Sequence, residues 1–237
     1  MVYWLDSFTQ VLQTQREVCC VVETNSKSIL LGIHNPGLRR NLLIKFSGYR
    51  PILGDFARAC EVIDGLRGRY PNLVSSSLVG ALVVAEDHRN CLHYGVDPLD
   101  IMRTFKVRIF ERRRQGASTI EQQLVRTITA RYEKTPRRKI REQLIAVMLN
   151  FESDKADLAR AYLQVAYYGV SLVGVRGVQK LQAQAPIDAD AVIVAHLKCP
   201  RVKGYDGVMA RKHCARVQRV NALISGRRSM EFQRALS

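Results

Sequence analysis

The chain has 237 residues, 47% of them hydrophobic, which is enough to bury a core as one large domain or two small ones and excludes a purely unfolded polypeptide. Lys and Arg number 37 against 21 Asp and Glu, a formal charge of +16; such a surface attracts nucleic acid, anionic lipid head groups or phosphorylated substrates, with a merely solvated basic face as the bland alternative. The longest apolar runs, Val18 to Val22, Ile29 to Ile33 and Leu78 to Ala85, fall short of the about 20 residues of a spanning helix, and no secretory signal is visible at the start.

Residues 1–65 carry three short apolar runs, Val18–Glu23, Ser28–Ile33 and Leu42–Phe46, separated by Asn25-Ser26-Lys27 and Asn35-Pro36-Gly37. They predict two or three strands, a small β element in an N-terminal α/β extension. From about residue 52 the pattern turns helical, and residues 66–237 are expected to form one mainly α domain. Asp55–Leu66 reads as a short amphipathic helix stopped near Gly68. Ser77–Asp87 is an apolar core helix that delivers Glu86 at its C-terminal end. Asp97-Pro98 is an N-cap followed by proline at the first helical position; its helix carries Met102, Phe105 and Ile109 on one face, and Gly116 follows its basic end. Ser118 opens the next helix, with Glu121 three residues on as in a capping box, and Ile120, Leu124 and Ile128 form its stripe. Thr135-Pro136 caps another, striped by Ile140, Leu144, Val147 and Phe151. Ser153–Tyr168 follows with Leu158, Tyr162 and Val165 inward, ending at Gly169. Asp188–Lys198 and Gly207–Ser225 are the last two. Cys19, Cys20, Cys60, Cys91, Cys199 and Cys214 include no C-x-x-C pair and no zinc-finger spacing with histidine. No metal site is expected from them, and they read as mostly free thiols, which favours a reducing compartment.

Two blocks carry the chemistry. Glu86-Asp87 ends the apolar helix, and partial burial there would raise the Glu86 pKa, as a general base or acid requires. Taken alone it would be an ordinary solvated Glu; Asp87, His93 and Gly95-Val96-Asp97 nearby argue otherwise. The second block, Gly116 to Arg126, is dense in hydroxyl, amide and guanidinium groups. Ser118 and Thr119 have capping as their plain role. Gln122 and Gln123 suit hydrogen bonding to sugar hydroxyls, and Arg126 lies on the Gln122 face, so together they could hold a phosphate-bearing sugar. Arg138 and Glu142, four apart in the basic run that includes Lys139, share a helix face, and a plain ion pair is their bland reading. A carboxylate facing a polar, cationic wall fits transfer of a sugar from an anionic leaving group.

These residues stand in a recognisable order. Glu86-Asp87, His93 and Gly95-Val96-Asp97 resemble the first motif of the peptidoglycan glycosyltransferases, glycosyltransferase family 51. Gly116-Ala117-Ser118-Thr119-Ile120, Gln122-Gln123-Leu124-Val125-Arg126 resemble the second, Arg138-Lys139 with Glu142 the third, and Lys155, Leu158, Tyr162-Leu163 and Tyr167-Tyr168-Gly169 the fourth; Ala195 to Pro200 and the basic helix after it resemble the fifth region more weakly. The resemblance covers roughly residues 70–225. It departs at Asn90 and Cys91, where aromatic residues are usual, and at Gln164, where asparagine is usual.

The resemblance implies a lysozyme-like, two-lobed helical fold. It implies polymerisation of lipid II by inverting transfer of the growing glycan from undecaprenyl pyrophosphate to an acceptor sugar 4-hydroxyl. Glu86 would be the general base and Glu142 the second carboxylate across the cleft. Asp87, His93, Ser118, Thr119, Gln122, Gln123, Arg126, Arg138 and Lys139 would bind substrate. No cofactor is required, with a divalent cation (Mg or Mn) as an alternative counter-charge at the pyrophosphate. Lipid II, the growing glycan strand, an anionic membrane surface and other cell-wall synthesis proteins are the implied partners. The implied place is peripheral, on the outer (periplasmic) face of the cytoplasmic membrane, which sits awkwardly with the absence of a visible signal or anchor. Three other readings compete: a lysozyme-like glycosidase, a non-catalytic lipid II or cell-wall binding scaffold, and a nucleic-acid binder. The last rests on charge alone and lacks interleaved aromatics, so no nucleic acid is expected.

Overall fold

The computed structural model describes residues 50–236 except 111–115, 117, 186 and 202–205. The strands expected between residues 18 and 46 lie outside the described residues. The described chain is mainly α, in keeping with the lysozyme-like class the resemblance implies.

Helix α1, Arg50–Arg69, extends past both ends of the expected helix. Pro51 falls in its first turn, where a missing N–H leaves no bond unmade. It ends one residue past Gly68, near the expected stop, and Ala59 and Ile63 anchor it in the core. It runs unbroken across residues 65 and 66, where the sequence reading divides the chain. Helix α2, Ser76–Glu86, starts at Ser75, whose Oγ accepts the Leu78 N–H at 3.1 Å, and buries Leu78, Ala81 and Leu82. After a 3-10 turn over Asn90–Leu92 comes α3, Pro98–Phe110. Asp97 caps it as expected, accepting the Leu99 and Asp100 N–H groups at 2.9 and 3.2 Å. Met102 on its apolar face is exposed; the side chains of Phe105 and Ile109 lie outside the described residues.

Helix α4, Ile120–Thr129, is capped by Thr119, not Ser118. Thr119 Oγ1 accepts the Gln122 N–H at 3.3 Å, and Glu121 makes no reciprocal cap. The Ile120, Leu124, Ile128 stripe is buried as read. Helix α5, Pro136–Glu152, is capped by Thr135 as expected, but its stripe is turned. The buried face is Glu142, Ile145, Ala146 and Leu149, at i, i+3, i+4 and i+7. The sequence reading took the large apolar side chains one face over, since an ion-paired glutamate does not read as a core residue. Of those, Val147 is buried, whereas Phe151 is exposed and stacks on Tyr94 with ring centroids 5.9 Å apart.

Helix α6, Lys155–Val165, buries Leu158 and Tyr162 as expected but ends three residues early. Tyr167–Gly169 forms strand β1, antiparallel to β2, Leu172–Val173. Gly169 has φ +144°, and a Cβ there would lie 2.6 Å from the Arg201 carbonyl oxygen, so the strand passes another backbone at glycine distance. Helix α7, Gly174–Gln184, has no counterpart among the expected elements. Helix α8, Ala189–Lys198, matches expectation closely, and α9, Gly207–Leu236, runs well beyond it.

Helix α4 packs on both α5 and α6, while α8 joins α2 to α9. One core runs through Leu78, Leu124, Ile145, Leu158, Leu163 and Ile193. Cys60, Cys91, Cys199 and Cys214 are free thiols, and Cys19 and Cys20 lie outside the described residues. No helix of the described residues is long and apolar enough to cross a membrane.

Candidate active site

Glu86 ends α2 with its side chain 1% exposed. The sequence reading expects a bare, poised carboxylate. Instead both oxygens are paired: Arg216 Nη2 of α9 donates to Oε1 at 2.8 Å, and Lys198 Nζ of α8 reaches Oε2 at 3.0 Å. Neither cation was singled out from the sequence. Lys198 and Arg216 are single basic residues in basic surroundings, more than 110 positions from Glu86, and only the packing of α8 and α9 on α2 selects them.

Directly after Glu86 the chain turns inward. Asp87 accepts three donors: His93 Nε2 at 3.0 Å, the Ile120 N–H at 3.2 Å and Asn90 Nδ2 at 3.3 Å. Burial pushes its carboxyl pKa up, but these donors outweigh burial and hold it below the ordinary value. Glu121, buried on α4, accepts Lys155 Nζ at 2.7 Å and Asn90 Nδ2 at 3.3 Å. Gly95 O receives Thr119 Oγ1–H at 2.7 Å and Gln122 Nε2–H at 3.2 Å. Asp87, His93, Thr119 and Gln122 are therefore buried parts of a knot that ties the first motif to the start of α4. The knot fixes the exit of α2, and with it Glu86.

The second cluster forms around Glu142, which is 3% exposed. Arg126 grips it with two nitrogens, Nε to Oε2 at 3.1 Å and Nη2 to Oε1 at 2.9 Å. Lys139 Nζ lies 2.9 Å from Oε1, and Arg138 Nη1 pairs with Oε2. Burial raises the Glu142 pKa, but Arg126 and Lys139 more than offset this and lower it. Three cations surround one carboxylate, so the cluster as a whole is cationic. Moving the cap to Thr119 frees the Ser118 hydroxyl, which accepts Arg126 Nη2 at 3.3 Å and Lys139 Nζ at 3.0 Å. Lys139 also donates to Gln122 Oε1. Ser118, Gln122, Arg126, Arg138, Lys139 and Glu142 thus meet, as the sequence pattern suggests. Beside them lies a small recess lined by Arg126, Arg131, Arg138 and Arg141, together with Asp55 and Glu142.

Tyr162 of α6 is buried, and its hydroxyl donates to Gln123 Oε1 at 2.8 Å. Burial raises its pKa, the Glu86 charge adds to that, and Arg126 opposes it.

Among the described residues, Asp87, His93 and Glu121 could hold a metal ion, with ligand atoms within 4.8 Å of one another. Lys155 Nζ already sits there, 2.7 Å from Glu121 and 3.4 Å from His93 Nδ1. An internal ammonium thus meets the charge of Glu121.

The fold and site together describe a mainly α, lysozyme-like domain in which one buried carboxylate ends a helix and another is ringed by three cations. Residues 69–183 match the family model described as transglycosylase. The chain is 37% identical over 103 residues to penicillin-binding protein 1A of Escherichia coli, covering 43% of this chain and 12% of that protein. It is 31% identical over 133 residues to penicillin-binding protein 1A of Aquifex aeolicus, covering 54% and 18%. It is 37% identical over 106 residues to penicillin-binding protein 1B of Vibrio cholerae, covering 44% and 13%. The chain thus spans less than a fifth of these relatives' length.

Proposed function

We propose that the protein is a peptidoglycan glycosyltransferase that polymerises lipid II. The observation that carries this reading is a buried, ion-paired carboxylate at a helix end, Glu86, together with a separate cationic cluster built around Glu142. Glu86 takes the proton from the acceptor 4-hydroxyl. The oxygen's electron pair forms the bond to the anomeric carbon, on the face opposite the leaving group, and the carbon–oxygen bond to the pyrophosphate breaks with its electrons staying on the pyrophosphate. Inversion follows without a protein nucleophile. Arg126, Arg138 and Lys139 stabilise the charge that develops as the pyrophosphate leaves, and Glu142 keeps these three close together without neutralising them.

A divalent cation fits this cluster poorly. Both Glu142 oxygens are taken by three cations, which would repel a metal ion, so no step is routed through one. Leu92, Tyr94, Leu99 and Met102 are exposed apolar side chains within one short stretch, near Arg103 and Lys106. This mixture suits peripheral contact with an anionic membrane, at the outer face of the cytoplasmic membrane where lipid II is consumed.

The test is polymerisation of labelled lipid II in detergent, wild type beside Glu86→Gln. Wild type is expected to make polymer, and the variant to lose roughly 10²- to 10⁴-fold in rate, the usual contribution of a positioned base. Polymer at an equal rate from both would refute the role of Glu86. Lipid II binding without polymer from wild type would leave a scaffold in place of an enzyme.

A further inference from the structure

The two cations on Glu86 are not equivalent. Arg216 Nη2 donates to Glu86 Oε1 at 2.8 Å and also to the Ala85 carbonyl at 3.2 Å. Helix α2 has no basic residue in its last turn, and a carboxylate is disfavoured at the negative end of a helix dipole. Arg216, supplied from α9, provides the missing charge and satisfies a carbonyl that the helix end leaves open. Its side chain is 19% exposed, against 54% for Lys198. A planar guanidinium held by two acceptors is rigid, whereas an exposed lysine ammonium on a four-carbon stem moves easily. Helix α9 is itself anchored beside Arg216: His213 packs against the buried His196 of α8 with ring centroids 4.2 Å apart, and Val220 is buried in the core.

We infer that Arg216 is a positioning residue that fixes Oε1 of Glu86, and that Oε2, whose counter-ion Lys198 can swing away, is the atom that accepts the acceptor hydroxyl's proton. This rests on the reading of Glu86 as the general base. As substrate enters, Lys198 yields its place at Oε2 while Arg216 stays. The carboxylate therefore cannot rotate, and one oxygen faces the hydroxyl throughout.

The experiment is steady-state polymerisation of lipid II by the full chain and its R216Q and R216K variants, with thermal midpoints measured alongside. R216Q is expected to lower kcat by about 10- to 100-fold with KM within about 3-fold, because a misplaced base costs rate and not binding. R216K, which restores the charge but not the rigid double contact, is expected to recover most of that loss and remain about 3- to 10-fold below wild type in kcat. An R216Q rate at or above that of wild type would overturn the inference, because Arg216 would then restrain the base. A raised KM with kcat intact would make it a substrate contact, and equal losses in both variants with lowered midpoints would make it merely structural. Should R216Q fail to fold, R216K decides alone: a lowered kcat at constant KM supports the assignment, and an unchanged kcat or a raised KM overturns it. Absence of polymer from wild type would instead bring down the reading of Glu86 as base, and this inference with it.

Discussion

Glu142→Gln is the perturbation with the most calculable consequence. The carboxylate is 3% exposed and paired with Arg126, Arg138 and Lys139. Replacing it with an amide keeps the shape but leaves three cations facing one another. Removing one partner of a buried ion pair costs about 3–5 kcal/mol; because water reaches all three cations in part, the lower end applies, about 3 kcal/mol. For a chain of this size that is a fall of roughly 6–12 °C in melting temperature. Urea unfolding at pH 7 measures the free energy directly. The pH dependence supplies a second check. Burial raises the Glu142 pKa, but Arg126 and Lys139 more than offset it, so the folded value lies below the unfolded one. The carboxylate's contribution is therefore present above its unfolded pKa and drains away as pH falls through the lower folded value. The gap between wild type and Glu142→Gln should accordingly narrow on acidification. Inorganic pyrophosphate should raise the variant's melting temperature more than that of wild type, since it fills the place of the lost charge. A variant within about 0.5 kcal/mol of wild type at pH 7, the range of an ordinary surface substitution, would refute the reasoning, as would a gap that widens in acid.

Two further substitutions probe the knot beneath Glu86. Gly95 has φ +81°, and a Cβ there would lie 2.5 Å from the Ala146 carbonyl oxygen; Gly95→Ala should cost roughly 2–4 kcal/mol in urea unfolding and reduce polymerisation, and a neutral result would show that the first-motif loop has room to move. Lys155→Met strips the buried Glu121 carboxylate of its cation, a loss of about 3–5 kcal/mol. The double variant Lys155→Met, Glu121→Gln should recover most of it, and equal losses in single and double variants would argue against the pairing.

Legibility followed chemistry that is local in sequence. Asp97 and Thr135 act as caps where the sequence placed them, and Arg138 and Glu142 pair across one helical turn as their spacing suggests. Where the reading slipped, a long-range contact had overridden a local pattern. Ser118 looked like a cap, yet its hydroxyl serves Arg126 and Lys139 from two helices. The α5 stripe was misplaced because Glu142 is buried by virtue of cations that the local apolar pattern does not reveal. Helix α7 was left unassigned, and its Gly177 lies where a Cβ would meet the Tyr168 ring at 2.8 Å, a contact between elements that no local pattern reveals. Arg216 and Lys198 were invisible for the same reason: what selects them is the docking of α8 and α9 against the end of α2.

The departures from the family pattern can be placed on the same physical footing. Asn90, where an aromatic residue is usual, is buried and donates to both Asp87 and Glu121. A carboxylate at 121 buried beside an aromatic ring would lack that donor, so Asn90 and Glu121 make sense only together, with Lys155 supplying the charge. Gln164 is likewise buried, its amide bonded to the Tyr70 carbonyl at 3.0 Å. Cys91 is exposed. Asn90 and Gln164 thus bond to the protein's own interior, and none of the three changes alters the partners of Glu86 or Glu142. The polar residue at 90 reworks the support beneath the first motif, while the cations that would position the base and receive the leaving pyrophosphate stay in place. Such a change should bear first on the stability of the loop and only through it on the reaction.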